Sequence, residues 1–416
     1  MFTKNGIGIE LKADSIFDVF DSPRDYNALV IGQSGSGKSF LMGLLSVDYF
    51  KKGYDVIIFD SGYSHAKLAK ILGRHIDFTL DNPISVNPFA LIKNKSDLDE
   101  KLDSLKHFIL GIANIDRDNK RYLLYSIYIE QSIIDLWNIH KDKLELSHFV
   151  DKFKNNDNFI DIFNVIKTFN EKYGDFFKSE SEIDFNNAYT IIETSNLDNT
   201  PILRDAVISA LYIYIFNKIS VKDSKKTVCF MDEYQKYLNS YFMLTAIEPA
   251  FRRFRSHNAS IIVSIQGFND IFINNDKINR HGLTLLNNSA WKIFLKQSDE
   301  SWSYINNYFK RSADLNRISM YSSILSSIPG EYFEAVIYSP FIKDDEPVFP
   351  SDIKICSKIS ANNKFIYYAL SSSVSDNAEI NKYLPDRVNL KNAAAIDIVS
   401  AINEVINQKD GKNVSK

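Results

Sequence analysis

The chain has 416 residues, which is enough for two or three domains with a sizeable hydrophobic core. With 45% hydrophobic residues and a net charge of −3, it has a globular composition and no overall charge that indicates nucleic-acid binding. Its two distant cysteines, Cys229 and Cys356, argue against a disulfide framework, and its most apolar stretch, residues 206–219, is too short to cross a bilayer. We therefore expect a cytoplasmic protein.

The first patterned element is an apolar run at residues 28–31, followed by a glycine-rich octet and a helix-like apolar run. A strand that ends in glycine-rich backbone ahead of a helix directs several N–H groups at one point, where a phosphate can bind. In this pattern Lys38 contacts the β- and γ-phosphates, and the Ser39 hydroxyl is a ligand of magnesium. The predicted nucleotide-binding residues are Gly32, Gln33, Ser34, Gly35, Ser36, Gly37, Lys38, Ser39 and Phe40.

The next apolar run, residues 56–59, predicts a strand that ends at Asp60 and leads through a turn into a helix from about residue 64 to residue 72. We interpret Asp60 as a turn residue at the strand end in preference to a catalytic acid. Together with the phosphate loop, this pattern predicts the first part of a nucleotide-binding domain over residues 1–90. The seven histidines form no metal-ligand pattern, so we expect each to be a surface or core residue.

The composition changes between residues 91 and 185, where glycine and proline almost vanish and apolar residues recur at helical spacing. This change predicts an inserted all-helical domain over 91–185. The sheet-forming domain then resumes over 186–345, and a mixed segment with a terminal helix and a polar tail follows over 346–416. Two helical faces carry the prediction: Leu123, Ile127, Ile134 and Trp137 on one, and Phe159, Phe163, Ile166 and Phe169 on the other.

Two acids follow a buried strand at residues 228–231, namely Asp232 and Glu233. In a parallel sheet, ligands collect at the carboxyl ends of the strands. We therefore expect Asp232 to hold magnesium and Glu233 to orient or deprotonate the attacking water. The alternative is a pair of solvent-facing acids at a strand end.

A further strand at residues 260–265 ends at Gln266, whose amide can contact both a γ-phosphate and the attacking water. This order of an acid pair and then a strand-end polar residue is typical of hydrolysing motors. The alternative is that Gln266 is a capping or loop residue.

Several arginines lie between these two strands, next to Phe251 and Phe254. We expect the two phenylalanines to face the core, while Arg252 and Arg255 share another face. Arg255, with Arg252 as the alternative, is the candidate for a catalytic arginine presented to the γ-phosphate of a neighbouring subunit. The alternative is a solvated helix face with ordinary ion pairs.

Taken together, the motifs GQSGSGKSF, VIIFDSGYSHAKL, SVNPF, CFMDEYQKYL, FRRFRSHNAS and SIQGFNDIF resemble one family. Their order is similar to that in the C-terminal motor domain of the TraC-type conjugative type IV secretion ATPases. These proteins belong to the FtsK–HerA branch of RecA-like P-loop ATPases. The resemblance covers roughly residues 5–340.

The resemblance implies an α/β fold of RecA-like type, with a mainly parallel sheet flanked by helices and an inserted all-α domain. It also implies an ATPase that uses ATP and Mg²⁺ and assembles as a homo-hexamer. The implied partners are secretion-channel or coupling proteins at the inner face of the bacterial membrane, with any membrane association peripheral.

Three functions are compatible with these motifs. The first is an ATP-hydrolysing motor that energises assembly of, or substrate transfer through, a conjugative type IV secretion system. The second is a DNA-translocating ATPase of the same branch, although the chain has no basic tract and its charge does not indicate DNA. The third is a nucleotide-gated assembly scaffold with little turnover, against which Glu233 and Gln266 argue.

Overall fold

A computed structural model describes most of the chain. The described residues are 18–22, 25–154, 156–221, 224–238, 240–273, 277–309, 327–328, 332–338, 342–343, 346–347 and 354–358. The terminal helix and polar tail predicted within 346–416 lie outside these residues.

A parallel sheet forms the centre of the fold. Its strands are β1 (Ala28–Ile31), β2 (Asp55–Asp60), β3 (Arg74–Asp77), β4 (Tyr189–Glu193), β5 (Thr227–Met231), β6 (Ala259–Ile265) and β9 (Trp291–Phe294). Between β6 and β9 the chain forms a small antiparallel pair, β7 (Phe272–Ile273) and β8 (Lys277–Ile278). The seven strands of the central sheet pair in parallel in the order β9–β1–β6–β5–β2–β4–β3.

Antiparallel strands extend this sheet beyond β9. The later strands are β10 (Ser327–Ile328), β11 (Tyr332–Tyr338), β12 (Ile342–Lys343), β13 (Glu346–Pro347) and β14 (Lys354–Lys358). β11 pairs with β9, and both β10 and β14 pair with β11, all antiparallel. β12 and β13 pair only with each other among the described strands.

Helices cover both faces of the parallel sheet. They are α1 (Lys38–Lys51), α2 (Ala66–Leu72), α3 (Lys95–Ile112), α4 (Tyr122–His140), α5 (Leu146–Phe153), α6 (Ile160–Tyr173), α7 (Pro201–Ile219), α8 (Tyr241–Arg253), α9 (Arg280–Asn287) and α10 (Asp299–Phe309). Alternate strand residues enter different cores, because side chains alternate between the two faces of a strand. Ala28 and Val30 pack with α1 and α2, whereas Leu29 and Ile31 belong to the core that contains α3 to α8.

The segment between β3 and β4 is helical. Among its described residues, 78–154 and 156–188, no strand occurs, and α3 to α6 fill most of its length. These helices share one hydrophobic core with α7 and α8, where the rings of Phe108 and Phe242 lie 6.3 Å apart. The helical content agrees with the sequence pattern, while the division of the chain into domains stays a prediction.

One residue ties the helical segment to the rest of the molecule. Asn87 is fully buried, and its Nδ2 donates to the carbonyl oxygen of Leu144 at 2.7 Å. Its own carbonyl oxygen accepts from the hydroxyl of Tyr214 on α7, also at 2.7 Å. The SVNPF motif is therefore the joint at which the helical segment meets α7.

The apolar face expected on α4 is only partly buried. Trp137 is buried, but Leu123 is 71% exposed and Ile127 is 60% exposed. Periodicity predicted the helix correctly, but it did not show which apolar side chains the neighbouring helices cover. Among the described residues, no helix is long and apolar enough to cross a membrane.

Candidate nucleotide-binding site

The glycine-rich loop joins β1 to α1 at the carboxyl edge of the sheet. Gly35 and Gly37 have φ angles of +76° and +97°, which glycine adopts at little cost. Gly32 is needed for a different reason, since a Cβ on it would lie 2.7 Å from the Cβ of Leu295. The Gly32 N–H donates to the carbonyl of Ile265 at 3.2 Å, and the Gln33 N–H donates to the carbonyl of Lys296 at 2.9 Å. The loop is thus held by the strands on both sides of β1.

Lys38 folds back over this loop. Its Nζ donates to the carbonyl oxygens of Gly32 at 2.7 Å and Gln33 at 3.1 Å, and the side chain is buried. Burial lowers the pKa of Lys38, and the nearby carboxylates of Asp232 and Glu233 oppose that shift. The ammonium group therefore lies at the loop, close to both acids.

Ser39 and Asp232 are in direct contact. The Ser39 hydroxyl donates to Oδ2 of Asp232 at 2.6 Å, although the two residues are far apart in the sequence. The other carboxylate oxygen, Oδ1, accepts from the N–H of Glu233 at 2.9 Å and from the hydroxyl of Ser264. Asp232 is buried, so these donors fix the orientation of its carboxylate.

Glu233 follows in a left-handed conformation, with φ 51° and ψ 42°. Its Oε2 forms an ion pair of 2.7 Å with Nζ of Lys236. Lys236 also donates to Ser61 Oγ at 2.6 Å and to a carboxylate oxygen of Asp198 at 3.0 Å. The predicted catalytic acid is therefore at the expected edge, but a lysine that the sequence analysis did not consider holds its carboxylate.

Gln266 directly follows β6, which lies between β1 and β5. Its backbone N–H donates to Oδ2 of Asp270 at 3.1 Å, and the N–H of Gly267 donates to the same oxygen at 2.9 Å. Burial raises the pKa of the Asp270 carboxyl, and the positive charge of the nearby Lys38 ammonium opposes that rise. Sequence reasoning missed Asp270, which the 3₁₀ turn after β6 places at the site.

The candidate arginines lie elsewhere. Arg252 is the last residue but one of α8, and Arg255 lies in the 3₁₀ turn that follows it. Both precede β6, so they stand at the amino edge of the sheet. β6 has seven residues, and a strand of that length spans ~20 Å. The structure therefore does not bring Arg255 to the phosphate loop of its own chain. Phe251 and Phe254 are buried as expected.

A second turn lies at the carboxyl edge, after β2. Asp60 is buried, and its carboxylate accepts from the N–H of Ser61 at 2.9 Å and from the N–H of His65 at 2.7 Å. Burial raises the pKa of Asp60 to about 6. The carboxylate of Glu193, at the end of β4, accepts from the N–H of Tyr63 at 2.6 Å. Asp60 is the turn residue that the sequence predicted, whereas the sequence analysis did not single out Glu193.

Three elements meet at one edge of the parallel sheet. They are the phosphate loop, the end of β5 that precedes Asp232 and Glu233, and the end of β6 that precedes Gln266. The family model described as the TraG P-loop domain matches residues 15–316. The chain belongs to this family.

A curated relative of this chain is Protein TraC of Escherichia coli (strain K12). The identity is 25% over 310 residues, which are 68% of this chain and 34% of TraC. The chain thus spans only 34% of the length of this relative. The predicted resemblance to the TraC type is confirmed by the family model and by this relative.

Solved structures show the same fold. VirB4 of Thermoanaerobacter pseudethanolicus has a TM-score of 0.65 and 16% identity, covering 87% of this chain and 98% of that chain. The plasmid coupling protein TrwB in complex with ADP and Mg²⁺ has a TM-score of 0.53 and 13% identity, covering 79% and 87%. TrwB in complex with the non-hydrolysable GTP analogue GDPNP has a TM-score of 0.55 and 12% identity, covering 80% of this chain and 85% of that chain. The predicted RecA-like α/β fold is confirmed.

Proposed function

We propose that this chain hydrolyses ATP and, as a motor, energises assembly of, or substrate transfer through, a conjugative type IV secretion system. The observation that carries the proposal is the 2.6 Å hydrogen bond from Ser39 to Asp232, next to Lys38. This contact joins the hydroxyl and the carboxylate that hydrolysing P-loop proteins use for magnesium. The likeness to TraC and VirB4 supports the secretion setting.

The residues at the site fit a triphosphate with Mg²⁺. Gly37 precedes α1 and has no side chain to cap it, so the first N–H groups of the helix remain available to phosphate oxygens. Oxygen ligands from Ser39 and Asp232 suit Mg²⁺, which would neutralise charge on the β- and γ-phosphates when bound.

Each side chain then has a defined task. Lys38 exchanges its two carbonyl contacts for phosphate oxygens. Glu233 orients the attacking water and accepts its proton, which requires its carboxylate to leave Lys236. The amide of Gln266 contacts the γ-phosphate and the same water. Held at one edge of the sheet, these groups position the reactants before the reaction begins.

Assembly completes the proposal. The chain forms a homo-hexamer in which Arg255, with Arg252 as the alternative, reaches the γ-phosphate held by a neighbouring subunit. Its position at the amino edge supports action between subunits, because it is remote from the phosphate loop of its own chain. The expected partners are secretion-channel or coupling proteins at the inner membrane, and the expected location is cytoplasmic with peripheral attachment. DNA is an alternative partner that the net charge of the chain does not indicate.

The test compares nucleotide binding and ATP turnover in two variants and a control. Lys38→Ala should lose binding or turnover because the variant lacks the phosphate-contacting cation. Glu233→Gln should bind ATP but hydrolyse it at least ~100-fold more slowly, the scale for losing a general base. The control is Lys154→Ala, an exposed lysine beyond α5.

Three outcomes would change the proposal. Near wild-type turnover of Lys38→Ala at saturating ATP would refute the phosphate-loop assignment. Stimulation of the wild type by DNA would favour the DNA-translocating alternative. Tight ATP binding without turnover in the wild-type hexamer would favour the assembly scaffold.

A further inference from the structure

Three ligand-bearing side chains meet where β2 and β5 end. Asp60, His65 and Asp232 are buried, with exposures of 1%, 1% and 3%. Each offers a ligand atom within 4.8 Å of the others. Two carboxylates and an imidazole in such proximity can act as a ligand set for a metal ion.

The buried imidazole of His65 also points to a bound ligand. Within the part of the chain that the structure describes, neither Nδ1 nor Nε2 has a hydrogen-bond partner, although both are buried. Leaving a buried polar atom without a partner is destabilising. Nε2 lies 3.9 Å from Oδ2 of Asp232, too far for a hydrogen bond but near enough for both atoms to share an ion.

The turn that carries His65 is held in place by other groups. The backbone N–H of His65 donates to Asp60, and the N–H groups of Gly62 and Tyr63 donate to the buried carboxylate of Glu193. Gly62 and Tyr63 have left-handed φ angles of 102° and 58°, which these contacts stabilise. The backbone of the turn is thus fixed, so the ring can be a ligand without reorganisation of the turn.

We propose that Asp60, His65 and Asp232 bind one divalent transition-metal ion of zinc-like chemistry. Imidazole suits Zn²⁺, Ni²⁺ or Co²⁺, whereas Mg²⁺ prefers oxygen ligands alone. Three protein ligands plus a water is a common open arrangement for zinc, with Zn–N and Zn–O distances of ~2.0–2.2 Å. Zinc binding requires the three ligand atoms, which lie within 4.8 Å of one another, to move closer together around the ion. Asp232 is shared with the proposed magnesium site, so zinc and the Mg²⁺-nucleotide compete.

The experiment uses the 416-residue chain without a tag and without nucleotide, so it does not depend on ATP hydrolysis. Zn²⁺ is titrated, excess metal is removed by dialysis, and the metal retained per chain is measured. The reference protein carries His148→Ala and should retain one Zn²⁺. Adding His65→Gln should lower the affinity for Zn²⁺ at least ~10-fold, because even residues outside the ligand set cost 10–100-fold. Adding His281→Gln instead, which removes a buried histidine on α9, should leave the affinity unchanged.

A competing site must be removed first. The rings of His140 and His148 stack with centroids 3.6 Å apart and could themselves hold zinc. All proteins therefore carry His148→Ala. Equal Zn²⁺ affinity of this background with and without His65→Gln would overturn the proposal.

If the protein with His65→Gln fails to fold, a second measurement is made on the protein that carries His148→Ala alone. X-ray absorption at the zinc edge should show one imidazole nitrogen and oxygen ligands. A spectrum with oxygen ligands alone, or no zinc retained, would also overturn the proposal.

Discussion

Ser264 lies at the end of β6 and orients both acids of the site, which makes its replacement by alanine informative. Its hydroxyl donates to Oδ1 of Asp232 and accepts from the N–H of Glu233 at 3.1 Å. A hydrogen bond to a charged group contributes ~1.5–3 kcal/mol. Since each 1.36 kcal/mol is tenfold in rate, Ser264→Ala should lower kcat/KM for ATP by about 10- to 150-fold.

The same strand offers a matched control. Ser260 is as buried as Ser264, but it lies at the other end of β6, where its hydroxyl donates to the carbonyl of Tyr26 at 2.6 Å. Ser260→Ala should cost ~1 kcal/mol of unfolding free energy and leave kcat/KM unchanged. Turnover at several ATP concentrations and urea denaturation are measured for both variants. Equal kcat/KM in the two variants would refute the role of Ser264 in orienting the acids.

Two further predictions concern assembly and pH. Arg255→Ala should lower turnover by ~10³–10⁵-fold, and mixing it with Glu233→Gln should restore activity at interfaces that pair an intact arginine with an intact glutamate. Absence of recovery in mixed hexamers would contradict action between subunits. Burial lowers the pKa of Lys292 from 10.5 to about 8, so the unfolded chain binds more protons between these pH values. The free energy of unfolding should therefore rise with pH across that window, and denaturation of Lys292→Met should lack this rise.

Local patterns predicted the parts of the site that depend on local backbone geometry. The predicted order of strand, glycine-rich loop and helix is present as β1, the phosphate loop and α1, with positive φ angles at Gly35 and Gly37. Asp232 and Gln266 follow buried strands, and the parallel arrangement brings those strand ends to one edge. Periodicity also predicted the helices between β3 and β4, although the exposure of Leu123 shows that it cannot assign neighbours.

Contacts between distant residues could not be predicted in the same way. His65 is a single histidine without a ligand pattern, and its relation to Asp232 arises only because β2 and β5 are neighbours. Glu193 pairs with Asp60 in the register of β2 and β4, 133 positions apart in the chain. Glu193 is nevertheless visible in the sequence as an acid at the end of an apolar strand, as Asp60 is. The contact between Glu233 and Lys236 is different, because the two residues are only three positions apart, a spacing at which opposite charges meet on a helical turn.

The joint at Asn87 has a practical consequence for anyone who shortens this chain. A version that connects β3 directly to β4 would remove Leu144, the acceptor for the Asn87 side chain, and Phe108, whose ring contacts Phe242. The side of α7 and α8 that faces α3 would become a water-exposed apolar surface. We therefore expect such a deletion to yield an aggregating protein, because the helical segment covers the apolar side of α7 and α8.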